Sequence, residues 1–126
     1  MPSKERTLHL KRLDRLAQVA VHVGLRPAEG QQVIMTAPTS ALPLVRLITE
    51  HAYKAGAGLV TTLYSDSQCT LARYRHAPDA SFDAATDWLF NGMAEGFGNN
   101  AARLAISSEL PGLLGGQDQE EVTRAA

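Results

Sequence analysis

Alternation constrains this chain more than any other feature of its sequence. Gln32 to Ala37, Leu59 to Tyr64 and Ala102 to Ser107 are short, apolar and partly β-branched, as buried strands are. The stretches between them are long enough to carry a helix. Strands joined by helical crossovers pair in parallel, with helices covering both faces of the sheet. The expected fold is therefore α/β, a three-layer sandwich around a small parallel sheet of about three strands. Right-handed crossovers are the default.

The helical segments can be placed from their periodicity. Leu10, Leu13, Ala17, Ala20 and Val21 recur at three- and four-residue steps and form one apolar face, with Gly24 as the expected stop. Pro27 and Gly30 mark a turn. Pro38 closes the first strand, because proline cannot donate to the ladder. Thr39 or Ser40 is expected to cap the next helix, which runs through Leu44, Leu47, Ile48 and His51 to Ala55, with Pro43 in its first turn. Gly56 and Gly58 break that helix. Ser65, Asp66 and Ser67 are well suited to cap a third helix through Leu71 and Tyr74. A fourth is expected from about Asp83 to Phe97, with Trp88 and Phe97 on its core-facing stripe. Asp118 and Glu121 open a last helix in a capping-box-like pattern. The chain stops at Ala126 before anything follows that helix, so a longer parent protein is expected.

Composition bounds the function classes. A chain of 126 residues fits one domain able to bury a real core. The formal net charge of -1 gives no argument for nucleic acid or an anionic membrane. Lys4, Arg6, Lys11, Arg12 and Arg15 crowd the start, but the run is short and mixed with apolar residues, as in a solvated helix face. Cys69 is the only cysteine, so no internal disulfide can form and a reducing cytoplasm is the natural compartment. No apolar run resembles a secretory signal or a membrane span.

The chemistry-bearing motifs are mostly missing. A phosphate loop belongs between a strand and the following helix, whereas Gly56 and Gly58 lie between a helix and a strand. No GxGxxG, GxxxxGK[ST], HExxH or GxSxG pattern occurs. His9, His22, His51 and His76 are scattered singly and suit surface or packing roles better than metal ligation. Cys69 falls in the first turn of a helix, where the dipole can lower a thiol pKa, but a small packing residue is the plainer role. No catalytic or metal-binding residue is assigned.

The carboxyl ends of parallel strands are where ligands bind in open sheets. Here those ends deliver Thr36 and Pro38, then Tyr64, Ser65 and Asp66, then Ser107, Ser108 and Glu109. Tyr64 and Asp66 are the candidate cleft-lining residues, with helix capping as the simpler role for Asp66.

The run "LDRLAQVAVHVGL…EGQQVIMTAP" resembles the opening of the thermophilic-type metalloaminopeptidases, the aminopeptidase T family. "LPLVRLITEHAYKAGAGLVTTLYSD" is similar to the helix–strand unit that follows there. "LARYRHAP", "WLFNGMAEGF", "LAISS" and "LLGGQDQEEVTRA" match the later elements in order. The likeness runs from about Leu13, leaving residues 1–12 as an extension and 13–126 as a partial amino-terminal α/β domain. The resemblance implies a cytoplasmic, homodimeric exopeptidase that removes amino-terminal residues from peptides using two divalent metal ions, zinc, cobalt or similar. It also implies that the metal ligands lie in the carboxyl-terminal domain. No position here matches a ligand motif, so this chain alone is expected to be inactive. Two other readings stay open, a stand-alone flavodoxin-like small-molecule module and a truncated interaction domain. No nucleic-acid or membrane partner is expected.

Overall fold

The computed structural model describes residues 4–107. Its elements are helix α1 (Lys4–Val19) with a π-helical extension (Ala20–Leu25), strand β1 (Gln32–Pro38) and a 3-10 turn (Thr39–Ala41). Helix α2 (Leu42–Lys54), strand β2 (Leu59–Ser65) and helix α3 (Ser67–His76) come next. A second 3-10 turn (Asp79–Asp83), helix α4 (Asp87–Gly98) and strand β3 (Ala102–Ala105) complete the set. Among the described residues the sheet has three strands in the order β2-β1-β3. Both pairings are parallel, with Gln32 opposite Leu59 and Val33 opposite Ala102. The expected α/β sandwich is the observed fold.

β1 is the middle strand, and its side chains alternate in burial. Val33, Met35 and Ala37 are buried on one face. They join Ala17 and Val21 from the first helix and Leu44, Val45, Ile48 and Ala52 from α2 in one cluster. Full burial of an aliphatic side chain of this kind is worth about 1.5–3 kcal/mol. The opposite face is covered more thinly, since neither α3 nor α4 contributes a buried residue. Contact there is made by closeness of backbone: a Cβ on Gly96 would lie 2.6 Å from the Ile34 Cδ1, so a glycine lets α4 approach β1.

The loops at the amino edge of the sheet are also held by backbone. Gly30 donates its N–H to the Gly56 carbonyl (2.7 Å), and Gly58 donates to the Gln31 carbonyl (2.8 Å). A Cβ on Gly58 would meet the Gly30 carbonyl oxygen at 2.3 Å, so only glycine fits. The Gln31 side chain donates to the Asn100 carbonyl and accepts from the Ala28 N–H, both at 2.8 Å, tying the β1 and β3 entry loops together.

Several local expectations are corrected. The first helix begins at Lys4 and runs past Gly24; Arg26, at φ 46, makes the left-handed turn that ends it. Neither Thr39 nor Ser40 caps α2, because the 3-10 turn they form delays the helix and leaves Ala41 at its N-cap. α4 starts at Asp87, after the Asp79–Asp83 turn has folded back on α3 through Arg73–Ser81 hydrogen bonds and a Tyr74–Phe82 ring stack. Trp88 is 76% exposed and does not face the core. The third strand ends at Ala105, although Ile106 still donates to the Thr36 carbonyl (2.8 Å). The helix expected from Asp118 lies outside the described residues.

Candidate functional site

Parallel pairing brings the carboxyl ends of the strands to one edge. Ala37 lies opposite Tyr64 and Pro38 opposite Ser65, so the loops after β1 and β2 leave the sheet side by side. On the other flank of β1, Thr36 is opposite Ala105, which places Ser107 at the same edge. Ser108 and Glu109 lie outside the described residues. The glycine-rich loops around Gly30, Gly56 and Gly58 occupy the opposite, amino edge.

Tyr64 is half exposed near the end of β2. Asp66 follows in extended conformation (φ -123, ψ 125) as the N-cap of α3. Its side chain accepts from the Gln68 N–H at 3.3 Å, and its carbonyl accepts the Thr70 hydroxyl at 3.2 Å. Capping satisfies an amide that the first turn of a helix leaves without an intrahelical partner.

Cys69 completes this turn. Its Sγ lies 3.5 Å from the second oxygen of Asp66. The carboxylate accepts from the thiol and opposes its ionisation by charge, so the Cys69 pKa is pushed up. The side chain is exposed. It is therefore neither a dipole-activated nucleophile nor a core packing residue, and both sequence-based roles are corrected.

A second polar pair escaped the sequence. His51 Nε2 on α2 lies 2.7 Å from the Asp14 carboxylate on α1, with the histidine side chain 14% and the aspartate 41% exposed. Gln18 donates to the other Asp14 oxygen at 2.9 Å. The His51 bond holds the Asp14 carboxyl below the usual range; partial desolvation opposes it, while Gln18 and the Lys54 charge reinforce it. His51 thus has a packing partner. Among the described residues, no three His, Cys, Asp or Glu side chains converge so as to hold a metal ion. None of the described helices is long and apolar enough to cross a membrane.

The chain matches the model of the family described as "Thermophilic metalloprotease (M29)" over residues 9–126. It is 44% identical over 115 residues to aminopeptidase T of Thermus thermophilus, covering 91% of this chain and 28% of that protein. Aminopeptidase AmpS of Bacillus subtilis is 36% identical over 112 residues, covering 89% of this chain and 27% of the relative. The solved structure of wild-type AmpT from Thermus thermophilus superposes with a TM-score of 0.74, over 91% of this chain and 29% of that one. The chain thus spans a little over a quarter of the length of the curated relatives it matches.

Proposed function

The chain belongs to the thermophilic metalloprotease (M29) family and corresponds to the amino-terminal domain of aminopeptidase T, and from that premise we propose that it is the non-catalytic domain of a cytoplasmic, homodimeric aminopeptidase. In that enzyme a carboxyl-terminal domain would carry two divalent metal ions, zinc, cobalt or similar. The whole protein would remove amino-terminal residues from peptides. Residues 13–126 would form the domain, and 1–12 its extension.

One observation carries the division of labour. The family name implies metal dependence, yet the described residues offer no donor set for an ion. A two-metal hydrolytic site needs several carboxylates and histidines converging about ions roughly 3.5–4 Å apart. His51, the most enclosed histidine, is already committed to Asp14. The described residues do not fit the metals.

The carboxyl sheet edge is the part of this domain best placed to serve a cleft, since a rigid sheet positions its loops without needing them for the core. We assign that role to Tyr64 and Asp66, with the Asp66 carboxylate suited to a substrate amino group. Calorimetry with zinc and cobalt, beside turnover of leucine p-nitroanilide, tests the non-catalytic assignment on the 126-residue chain. The expected result is no saturable two-ion binding and no turnover. Two ions bound per chain with turnover would overturn it.

A further inference from the structure

The outward face of α1 carries a second apolar row, separate from the one buried against the sheet. At about 100° per residue, Leu16 and Val19 lie about 80° and 20° around the helix from Leu8. Val23 continues the row one turn later. These four side chains are 43% to 68% exposed. The core-facing residues Leu13, Ala17 and Val21 lie on the other side of the same helix.

The row is bordered by cations. Lys4, Lys11 and Arg15 fall within about 60° on one side of Leu8, and Arg12 lies inside the row at about 40°. All four are exposed, and none takes part in the ion pairs His51–Asp14 and Lys54–Glu50. Of the two carboxylates on α1, Glu5 lies on this face at about 60° from Leu8, and Asp14, beyond the cationic border, is turned to His51. Among the described residues the surface thus combines an aliphatic seam with four cations against the single carboxylate of Glu5, a net positive charge. A seam about 80° wide matches the narrow stripe by which one helix packs against another, whereas a helix lying in a lipid surface buries a broader face. A second copy of α1 would bring the same cations to the seam, and like charges oppose that pairing.

We propose that the outward face of α1 docks an acidic amphipathic helix of a partner protein, its aliphatic residues packing on Leu8, Leu16, Val19 and Val23 and its carboxylates on Lys11, Arg12 and Arg15. The row makes the contact stable and the cations select its sign.

The probe is a 21-residue peptide of Leu/Glu heptads, titrated into the isotope-labelled 126-residue chain and followed by NMR. The expected result is saturable perturbation confined to residues 8–23. Binding should be at least tenfold tighter than for the Leu/Lys counterpart, and at least tenfold weaker for Val19→Asp. Lys11→Glu with Arg15→Glu leaves the seam intact and should reverse the preference between the two peptides, so the idea stays testable if Val19→Asp fails to fold. Equal binding of both peptides, perturbation elsewhere, or no binding would overturn it. So would phosphatidylserine vesicles or a DNA duplex occupying α1 when the acidic peptide does not.

Discussion

His51 and Asp14 are 37 positions apart in sequence, yet their side chains meet at 2.7 Å and join α2 to α1. The contact holds the Asp14 carboxyl below its ordinary value. A depressed carboxyl contributes stability above its unfolded pKa, and that contribution is lost as pH falls through the folded value. Asp14→Asn should therefore lower the melting temperature at pH 6. The gap between variant and parent should close as pH falls below about 3.8. An equal gap at pH 6 and pH 2.5 would show that the charge is irrelevant.

Two glycines should respond in opposite directions. Gly58→Ala places a methyl group against the Gly30 carbonyl, a backbone atom that cannot swing away. A cost of about 1–3 kcal/mol is expected from overpacking. Gly24 lies in a helical segment with nothing within 4 Å of a built Cβ. Gly24→Ala should stabilise by about 0.5–1 kcal/mol, because glycine is the costlier residue in a helix. Urea denaturation of both variants would decide, and equal effects would refute the close-approach account of Gly58.

Tyr53 guards an edge of the sheet. Its hydroxyl accepts the Val60 N–H at 2.9 Å, an amide on the side of β2 away from β1. Tyr53→Phe leaves the ring and removes the acceptor. Stability should fall by about 0.5–1.5 kcal/mol. Exposed edge amides template strand addition, so the variant should also aggregate faster when agitated. Unchanged stability and unchanged light scattering would mean that water replaces the hydroxyl without loss.

Asp66 links three testable properties. Asp66→Asn should keep the cap, whereas Asp66→Ala should cost about 1 kcal/mol. Both remove the charge that raises the Cys69 pKa, so iodoacetamide should alkylate Cys69 faster at pH 8 in either variant. The proposed cleft role is separate: in a full-length enzyme carrying this domain, Asp66→Asn should lower kcat/KM without lowering stability. Retention of both would leave capping as its only role.

The strands were legible because β-branched runs, glycines and prolines act locally. The Asp66 cap was legible for the same reason, since a Ser-Asp-Ser run directly follows a strand. The Asp14–His51 pair was not, because it depends on how two helices rotate against each other on the sheet. Trp88 shows the reverse difficulty. Helical spacing placed it on an apolar stripe, but α4 touches the sheet through Gly96 and leaves Trp88 outside. Thr39 and Ser40 are good capping residues by type, yet the 3-10 turn after Pro38 moved the helix start beyond them. The side-by-side exit of the β1 and β2 loops followed from parallel pairing alone.

The central position of β1 imposes an order on assembly. Gln32 must find Leu59 on one side and Val33 must find Ala102 on the other. The second closure spans the longer loop and costs roughly 1 kcal/mol more chain entropy. It is also rewarded over fewer residues, since β3 runs only from Ala102 to Ala105. The β1–α2–β2 unit, which owns most of the buried cluster, can therefore form as a nucleus before β3 arrives. Amides of β1 that bond to β2 should gain protection early in refolding. The Ile106 bond to Thr36 should be among the last to close and the first to open.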